Sequence, residues 1–444
     1  MSGDAADLII TNATVVVCDD AMTVIEGGGV AVSGGAIVNV GDDAALEARR
    51  TGGATVIDAG GRILMPGLIN THCHSGNSLY RGLVEGLPLE PWLAKLWVAE
   101  TAITSPETVG LGARLGYAEN LLNGVTAVMD MYWHPEELVA AAEETGLRVA
   151  TGAIFFDPPG IDGATADKRE AMGRGFFDAH KDHPHLIKTV CPHGAYTVSP
   201  ESLERVRAVQ EDYDALLTIH AAETRAEQAD IKERYGASVI RHLDSLSLLS
   251  PKTVLAHCVH LDDEEIDILA RTGATVSHNP ASNLKLGSGI ARVPDFISAN
   301  VRVALGTDGA VSGNDLDLWK AIRLAAILHN GAREDAAAVS ARDAVLMATL
   351  RGAEALGVAD EAGSLEVGKR ADFILMNPDQ AHAAPVFDPV SYLAYAASHH
   401  DVEDVFIAGR QVVDNRRLTT LDLGAVIAGA NALIPRLKAS LAEA

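Results

Sequence analysis

His72-Cys73-His74 sets two imidazoles at the end of the apolar run Leu68–Asn70. In an extended strand, residues i and i+2 point to the same side. His72 and His74 can therefore reach one metal ion, while Cys73 faces the other way and packs. Three further apolar runs end in metal-binding residue types. His220 follows Leu216-Leu217-Thr218-Ile219, His257 follows Val254-Leu255-Ala256, and Asp308 follows Val303-Ala304-Leu305-Gly306-Thr307. A lone His at such a place is more often a satisfied core or surface residue, and an Asp in Gly-Thr-Asp-Gly is more often a turn residue. Four strand ends carrying the same chemistry make a shared cation the stronger account. Three imidazoles, one carboxylate and a water suit Zn²⁺, and the same donors accept Fe²⁺ or Mn²⁺.

Such groups converge only if their strands lie side by side and end on one face. Eight apolar runs recur through the middle of the chain: Ile63–Thr71, Thr126–Met131, Arg148–Phe156, His185–Cys191, Ala215–His220, Thr253–His257, Ala274–His278 and Val301–Thr307. Near-continuous apolar strands suit a parallel sheet buried on both faces. Helical periodicity fills the gaps. Ser199-Pro200, for example, supplies an N-cap and a first-turn proline ahead of Leu203, Val206 and Val209. The alternation predicts a (β/α)8 TIM barrel, with its chemistry at the C-terminal strand ends. The Pro- and Gly-rich stretch Asp157–Asp167 reads as a loop over that face. The acidic run Asp262–Glu265 reads as a solvated helix start.

The two ends of the chain have a different texture. Leu8–Ile10, Thr14–Val17, Gly29–Val32 and Ala36–Val40 are short β-type runs, with Ser33-Gly34-Gly35 as a hairpin signal. Ala371–Met376, Val405–Ala408 and Gln411–Val413 repeat the pattern, with a turn at Gly409-Arg410, and one amphipathic helix spans about Leu423 to Leu441. The organisation read from this is a composite β-sandwich contributed by 1–62 and 366–444, the latter with the closing helix, around a barrel at 63–365.

Composition narrows the partners. The 444 residues are 48% hydrophobic and 21% charged, ordinary for a globular protein. Asp and Glu number 60 against 35 Lys and Arg, a net charge of −25. Phosphate backbones and anionic lipid heads repel such a chain, so a small molecule is expected rather than nucleic acid or membrane. No run of about 18 apolar residues and no basic leader is evident. The four cysteines, Cys18, Cys73, Cys191 and Cys258, form no CxxC pair, which fits a reducing cytoplasm.

Pro66-Gly67-Leu68-Ile69-Asn70-Thr71-His72-Cys73-His74, the later His220, His257 and Asp308, and the closing Gly363-Ser364-Leu365-Glu366-Val367-Gly368-Lys369-Arg370-Ala371-Asp372 resemble the amidohydrolase superfamily. The run Ser277-His278-Asn279-Pro280-Ala281-Ser282-Asn283-Leu284-Lys285-Leu286 is similar to its aminohydrolase branch, the methylthioadenosine/S-adenosylhomocysteine deaminases and their relatives, which include triazine hydrolases. The resemblance covers essentially the whole chain. It implies one divalent metal on His72, His74, His220 and Asp308. It further implies that His193 contacts a purine, that Glu223 works on a ring nitrogen, and that Glu100, beside Trp97, holds ribose hydroxyls. Homo-oligomers are common in the family. One departure bears on the substrate. Where members acting on S-adenosylhomocysteine place an arginine, this chain has Ala153, and a second family arginine corresponds to Lys168 or Arg169. Smaller 5′-substituted adenosines are favoured: methylthioadenosine, 5′-deoxyadenosine or adenosine.

The chemistry this implies is hydrolysis of a C–N bond in a cyclic amidine. A suitable metal lowers the pKa of water to near 7, from about 15.7 in bulk. Glu223 can move a proton from that water to the ring nitrogen, His257 can orient the attacking oxygen, and Asp308 can pass the remaining proton to departing ammonia. Two-metal relatives use a carbamylated lysine at the fourth strand end. Lys188 lies too early on its strand for that, so one metal is expected. His260 and His278 read as structural or supporting groups. Pro88, Trp92, Leu93, Leu96 and Trp97 make an apolar cluster for the pocket or a neighbouring subunit. The alternatives are a deaminase or dechlorinase of another heterocycle (guanine, a cytosine-like base, a pterin or an s-triazine) and, from another class, a metal-binding protein without turnover. The presence of all four ligands and Glu223 argues against the last. The PCxxC mark of the other zinc deaminases does not occur.

Overall fold

The apolar run that begins at Ile63 breaks at Gly67, and the break sends its halves to different sheets. In the computed structural model, which describes residues 6–42, 46 and 53–442, Ile63–Pro66 pairs antiparallel with Phe373–Met376 and parallel with Leu8–Val16. Leu68–Cys73 opens a second sheet. The expected first barrel strand Ile63–Thr71 is therefore two strands. Pro66 lacks an N–H to continue a ladder, and a Cβ at Gly67 would lie 2.3 Å from the Thr126 side chain.

The second sheet carries eight parallel strands in chain order: β1 (Leu68–Cys73), β2 (Val125–Asp130), β3 (Arg148–Thr151), β4 (Leu186–Pro192), β5 (Leu216–Ala221), β6 (Thr253–His257), β7 (Thr275–His278) and β8 (Val303–Leu305). β1, β2, β5 and β6 are buried along their whole length, as strands covered on both faces must be. The sheet closes where the Asp308 N–H donates to the His72 carbonyl at 3.0 Å. Asn70 seals the same seam. Its Oδ1 accepts the Thr307 N–H at 3.1 Å and its amide donates to the Thr307 hydroxyl at 2.8 Å. This is the (β/α)8 barrel. The expected run Arg148–Phe156 is also split. Gly152 passes so close to β4 that a Cβ would sit 2.0 Å from the Thr189 carbonyl, and Ile154–Phe155 resumes as a short strand on β4.

The terminal segments form one nine-stranded mixed sheet. It folds back on itself as a β-sandwich: Ala36 bridges Arg370, and a Cβ at Gly35 would lie 2.9 Å from the Ala408 carbonyl. Val15, Val32, Phe373 and Phe406 lie in its core. Its hairpins turn at Gly34-Gly35 and Ala408-Gly409, all with positive φ, so the second turn sits one residue earlier than expected.

By compactness the chain makes two units. One holds the described residues of Met1–Ile69, Glu119–Ala127 and Asp317–Leu421. The other holds Asn70–Ala118, Val128–Leu316 and the described part of Asp422–Ala444. The single closing helix is instead two, Leu423–Ala432 and Ile434–Ala442, because Pro435 has no N–H for a continuous ladder. Leu437 of the second helix is buried in one cluster with Trp92, Leu96 and Ile103 of the helix Leu89–Ile103. The expected helix starts form. Ser199 caps Pro200–Asp212, and Asp262 with Glu265 makes a reciprocal capping box at Asp263–Thr272. No described helix is long and apolar enough to cross a membrane.

Candidate metal centre and active site

β1 delivers His72, and His74 is the residue just after that strand; β5 delivers His220, and the turn after β8 delivers Asp308. One ligand atom from each lies within 4.8 Å of every other. His74 Nε2 is 3.2 Å from His220 Nε2 and 3.1 Å from Asp308 Oδ1, and His72 Nε2 is 3.5 Å from the same oxygen. The far nitrogens fix two of the rings. His74 Nδ1 donates to the Met131 carbonyl and His220 Nδ1 to the His193 carbonyl, each at 2.5 Å. That tautomer turns both Nε2 lone pairs inward. His72 is fully buried and its Nε2 has no hydrogen-bond partner. A buried polar atom without a partner is costly, and a cation bound by these four groups would satisfy it. The donor set thus fits a single divalent ion.

Electrostatics agree. Burial pushes the His72 pKa down to about 4 and the His220 pKa well below the ordinary imidazole value, so both rings are neutral donors. Burial opposes the charge on Asp308, but the adjoining His72 and His74 rings outweigh it and hold the carboxyl well below the usual range. Two hydroxyls fix the other carboxylate oxygen. Ser282 and Ser312 donate to Asp308 Oδ2 at 2.6 and 2.7 Å. The backbone is tuned at the same level, with Ala222, His257 and Asp308 all at positive φ. Non-glycine residues are uncommon there, and such conformations cluster where side chains must be aimed.

Glu223 follows β5 and is buried beside this cluster. Ser288 donates to its Oε1 at 2.9 Å, and His257 Nε2 lies 3.7 Å from its Oε2. His257 is held in turn through Nδ1 to Asn283 Oδ1 at 2.8 Å. Below it, Glu227 Oε2 accepts the Glu223 backbone N–H at 2.7 Å. Burial raises the pKa of Glu223, and that of Glu227 to about 8. Both carboxyls are thus biased toward holding a proton.

An open cavity with about 700 Å³ of empty space lies over these groups. Glu223, His257 and Asp308 line its floor. His193 stands beside them, its Nδ1 3.0 Å from the Thr197 hydroxyl. Burial, and then the neighbouring His74 and His72 rings, push its pKa to about 3, so it meets a ligand as a neutral ring. Trp97, Phe156 and Trp133 form an aromatic wall, with Phe156 edge-on to the other two at 6.0 and 5.7 Å. Glu100 also lines the cavity. Burial raises its pKa to about 7, and Tyr132 donates to its Oε1 at 2.7 Å.

Every residue singled out for the site converges here. His74, Glu100, Trp97, His193, His220, Glu223, His257 and Asp308 line the cavity, and His72 completes the metal cluster. Cys73 is buried with its sulfur 3.3 Å from the Ser75 hydroxyl, outside the metal cluster. Lys188 does not reach the site. Its ammonium sits 5.9 Å from the Tyr213 ring centroid. His260 is a structural group, bonded to the Ser288 carbonyl at 2.8 Å. Sequence reasoning missed the supports: Ser282, Ser312, Asn283, Ser288, Tyr132 and Glu227.

Residues 63–412 match the family described as the amidohydrolase family. The chain is 37% identical over 428 residues to the 5-methylthioadenosine/S-adenosylhomocysteine deaminase of Syntrophobacter fumaroxidans, covering 96% of this chain and 97% of that one. It is 38% identical to the 5′-deoxyadenosine deaminase of Methanosarcina acetivorans, over 95% of this chain and 96% of the other. Its fold superposes with a TM-score of 0.95 on an adenosine deaminase from Xanthomonas campestris with bound zinc, at 36% identity over 98% and 99% of the two chains.

Proposed function

Because the chain belongs to the amidohydrolase family, we propose that it hydrolyses the ring amino group of a 5′-substituted adenosine, giving the inosine analogue and ammonia. The observation that carries this reading is the meeting, in one cavity, of a four-donor metal cluster, a buried Glu223 and, on the same wall as the aromatic rings, a buried Glu100. The names of the similar proteins support it. All three act on adenosine or its 5′ variants, and one carries zinc.

His72, His74, His220 and Asp308 would hold one zinc ion, which when bound lowers the pKa of water enough to make it a nucleophile near neutral pH. Everything else falls to the chain's own residues. His193, neutral, places the purine over the floor. Glu223, with its raised pKa, takes a proton from the attacking water and delivers it to the ring nitrogen next to the reacting carbon. His257, steadied by Asn283, orients the attacking oxygen from the Glu223 side. Asp308, held by two serines, takes the second proton of the water and passes it to the amino group as the C–N bond breaks. Water thus supplies the oxygen, and the amino group leaves as ammonia. Glu100 accepts hydrogen bonds from the ribose hydroxyls at the other end of the ligand.

The test is a panel of methylthioadenosine, 5′-deoxyadenosine, adenosine, S-adenosylhomocysteine and guanine with zinc-loaded enzyme, following ammonia release and the adenine absorbance band. Turnover of the adenosines with guanine left intact supports the reading. Turnover of guanine alone overturns it.

A further inference from the structure

The groups around the cavity are of one electrostatic kind. Glu100, Glu223 and Asp308 are carboxylates, and among the described residues no Lys or Arg lines it. A cation exists one ring away. Trp133 and Tyr132 also line a neighbouring cavity, and the guanidinium of Arg169 forms part of that second wall. The Arg169 guanidinium carbon lies 5.4 Å from the Trp133 ring centroid. The charge is already matched. Asp162 takes it bidentately, Oδ2 from Nη1 at 2.5 Å and Oδ1 from Nη2 at 2.8 Å, and the Ala164 carbonyl accepts from Nη2 at 3.3 Å. Both side chains are buried, with 2% and 8% exposure.

The loop that brings Asp162 is anchored at its base. The Asp157 N–H donates to the Thr197 carbonyl at 3.0 Å, and Asp157 Oδ2 accepts the Ser199 N–H at 2.8 Å. Gly160 passes against both partners of the pair's stack. A Cβ there would lie 2.1 Å from Arg169 Nη2 and 2.8 Å from the Trp133 ring.

We propose that Asp162, by occupying Arg169, makes this enzyme selective for adenosines whose 5′ substituent is uncharged and apolar. The proposal rests on the deaminase reading and deepens it. An anionic substituent brought against Trp97, Phe156 and Trp133 gives up its water and finds no free counter-ion. To use Arg169 it must displace a carboxylate tethered a few residues away, whose effective concentration far exceeds that of a free ligand. A methylthio group or a bare methyl carries no such penalty and gains by burying apolar surface on the rings.

The experiment compares kcat/KM for methylthioadenosine with that for S-adenosylhomocysteine, whose 5′ chain ends in a zwitterionic amino acid with a carboxylate, and for adenosine 5′-monophosphate. It uses the zinc-loaded wild type, Asp162→Asn, and Asp162→Asn combined with Arg169→Gln. The wild type should favour methylthioadenosine by about 100-fold or more over both charged substrates. Asp162→Asn should raise kcat/KM for S-adenosylhomocysteine by about 10-fold, one charged hydrogen bond's worth, with methylthioadenosine little changed. Adding Arg169→Gln should abolish the gain. A wild type that treats methylthioadenosine and S-adenosylhomocysteine within about threefold overturns the proposal and leaves the deaminase reading standing, and that comparison needs no variant to fold. If neither nucleoside is deaminated, the underlying reading fails instead.

Discussion

Tyr132 and Glu100 share a buried hydrogen bond in the cavity wall, the phenol donating to Glu100 Oε1 at 2.7 Å. The phenol fixes one oxygen and so sets where the carboxylate points. Tyr132→Phe should raise KM for nucleosides by about 10-fold with little effect on kcat, and Glu100→Gln by about 10- to 100-fold, the range for hydrogen bonds to a charged group. Steady-state kinetics on methylthioadenosine and on free adenine check this. A free base has no ribose, so any activity on it should be the same in both variants. Equal losses on base and nucleoside would show a general distortion instead.

Ser282 and Ser312 hold one oxygen of Asp308 and leave the other to the imidazoles. Removing both hydroxyls frees the carboxylate to rotate. The Ser282→Ala/Ser312→Ala double variant should lose about 10- to 100-fold in kcat, and its zinc should be stripped at lower chelator concentration. Chelator titration followed by metal analysis reads the second effect without reference to activity.

Glu227 fixes Glu223 through its backbone N–H. Its pKa moves from 4.5 to about 8 on folding because it is buried. Between those values the folded chain keeps a proton the unfolded chain has lost, so this contribution to stability is full below about 4.5 and declines as pH rises toward 8. Glu227→Gln removes that titration and should flatten the fall in denaturation midpoint between pH 6 and pH 9, while keeping kcat near wild type at pH 7. Glu227→Ala, which cannot accept the N–H, should lower kcat about 10-fold with KM little changed.

Lys188 lies against Tyr213 and has no part in the metal cluster. Zinc should load at one equivalent per chain, and Lys188→Met should keep both that stoichiometry and most of the activity. Metal analysis of the purified variants decides the point. Two equivalents lost together in Lys188→Met would contradict the single-metal centre.

The ligands were legible because period-two alternation and apolar strand ends are local signals. His72 and His74 follow from i, i+2 spacing, and His220 and Asp308 each close an apolar run suited to a buried strand. The supports were not legible for the opposite reason. Ser282 and Ser312 meet Asp308 only when the helix Pro280–Lys285 after β7 and the turn after β8 converge, and Tyr132 finds Glu100 only through the fold. Glu227 is the exception. Thr224-Arg225-Ala226-Glu227 reads as a capping box, and Thr224 does accept the Glu227 N–H, but the Glu227 side chain bonds the Glu223 N–H, one residue before the cap. The break at Pro66-Gly67 was also readable, since proline rarely sits inside a central strand. The continuity of apolar residues across it masked the switch from one sheet to the other.

The central claim is that the four-donor cluster and Glu223 together exchange an amino group for oxygen. The direct measurement is mass spectrometry of methylthioadenosine after incubation with zinc-loaded enzyme, in parallel with Glu223→Gln and with enzyme stripped of metal. The account predicts a product heavier by one dalton, one ammonia per product, and no product in either control. A nucleoside recovered intact from fully zinc-loaded wild type, or turnover undiminished in Glu223→Gln, would contradict it.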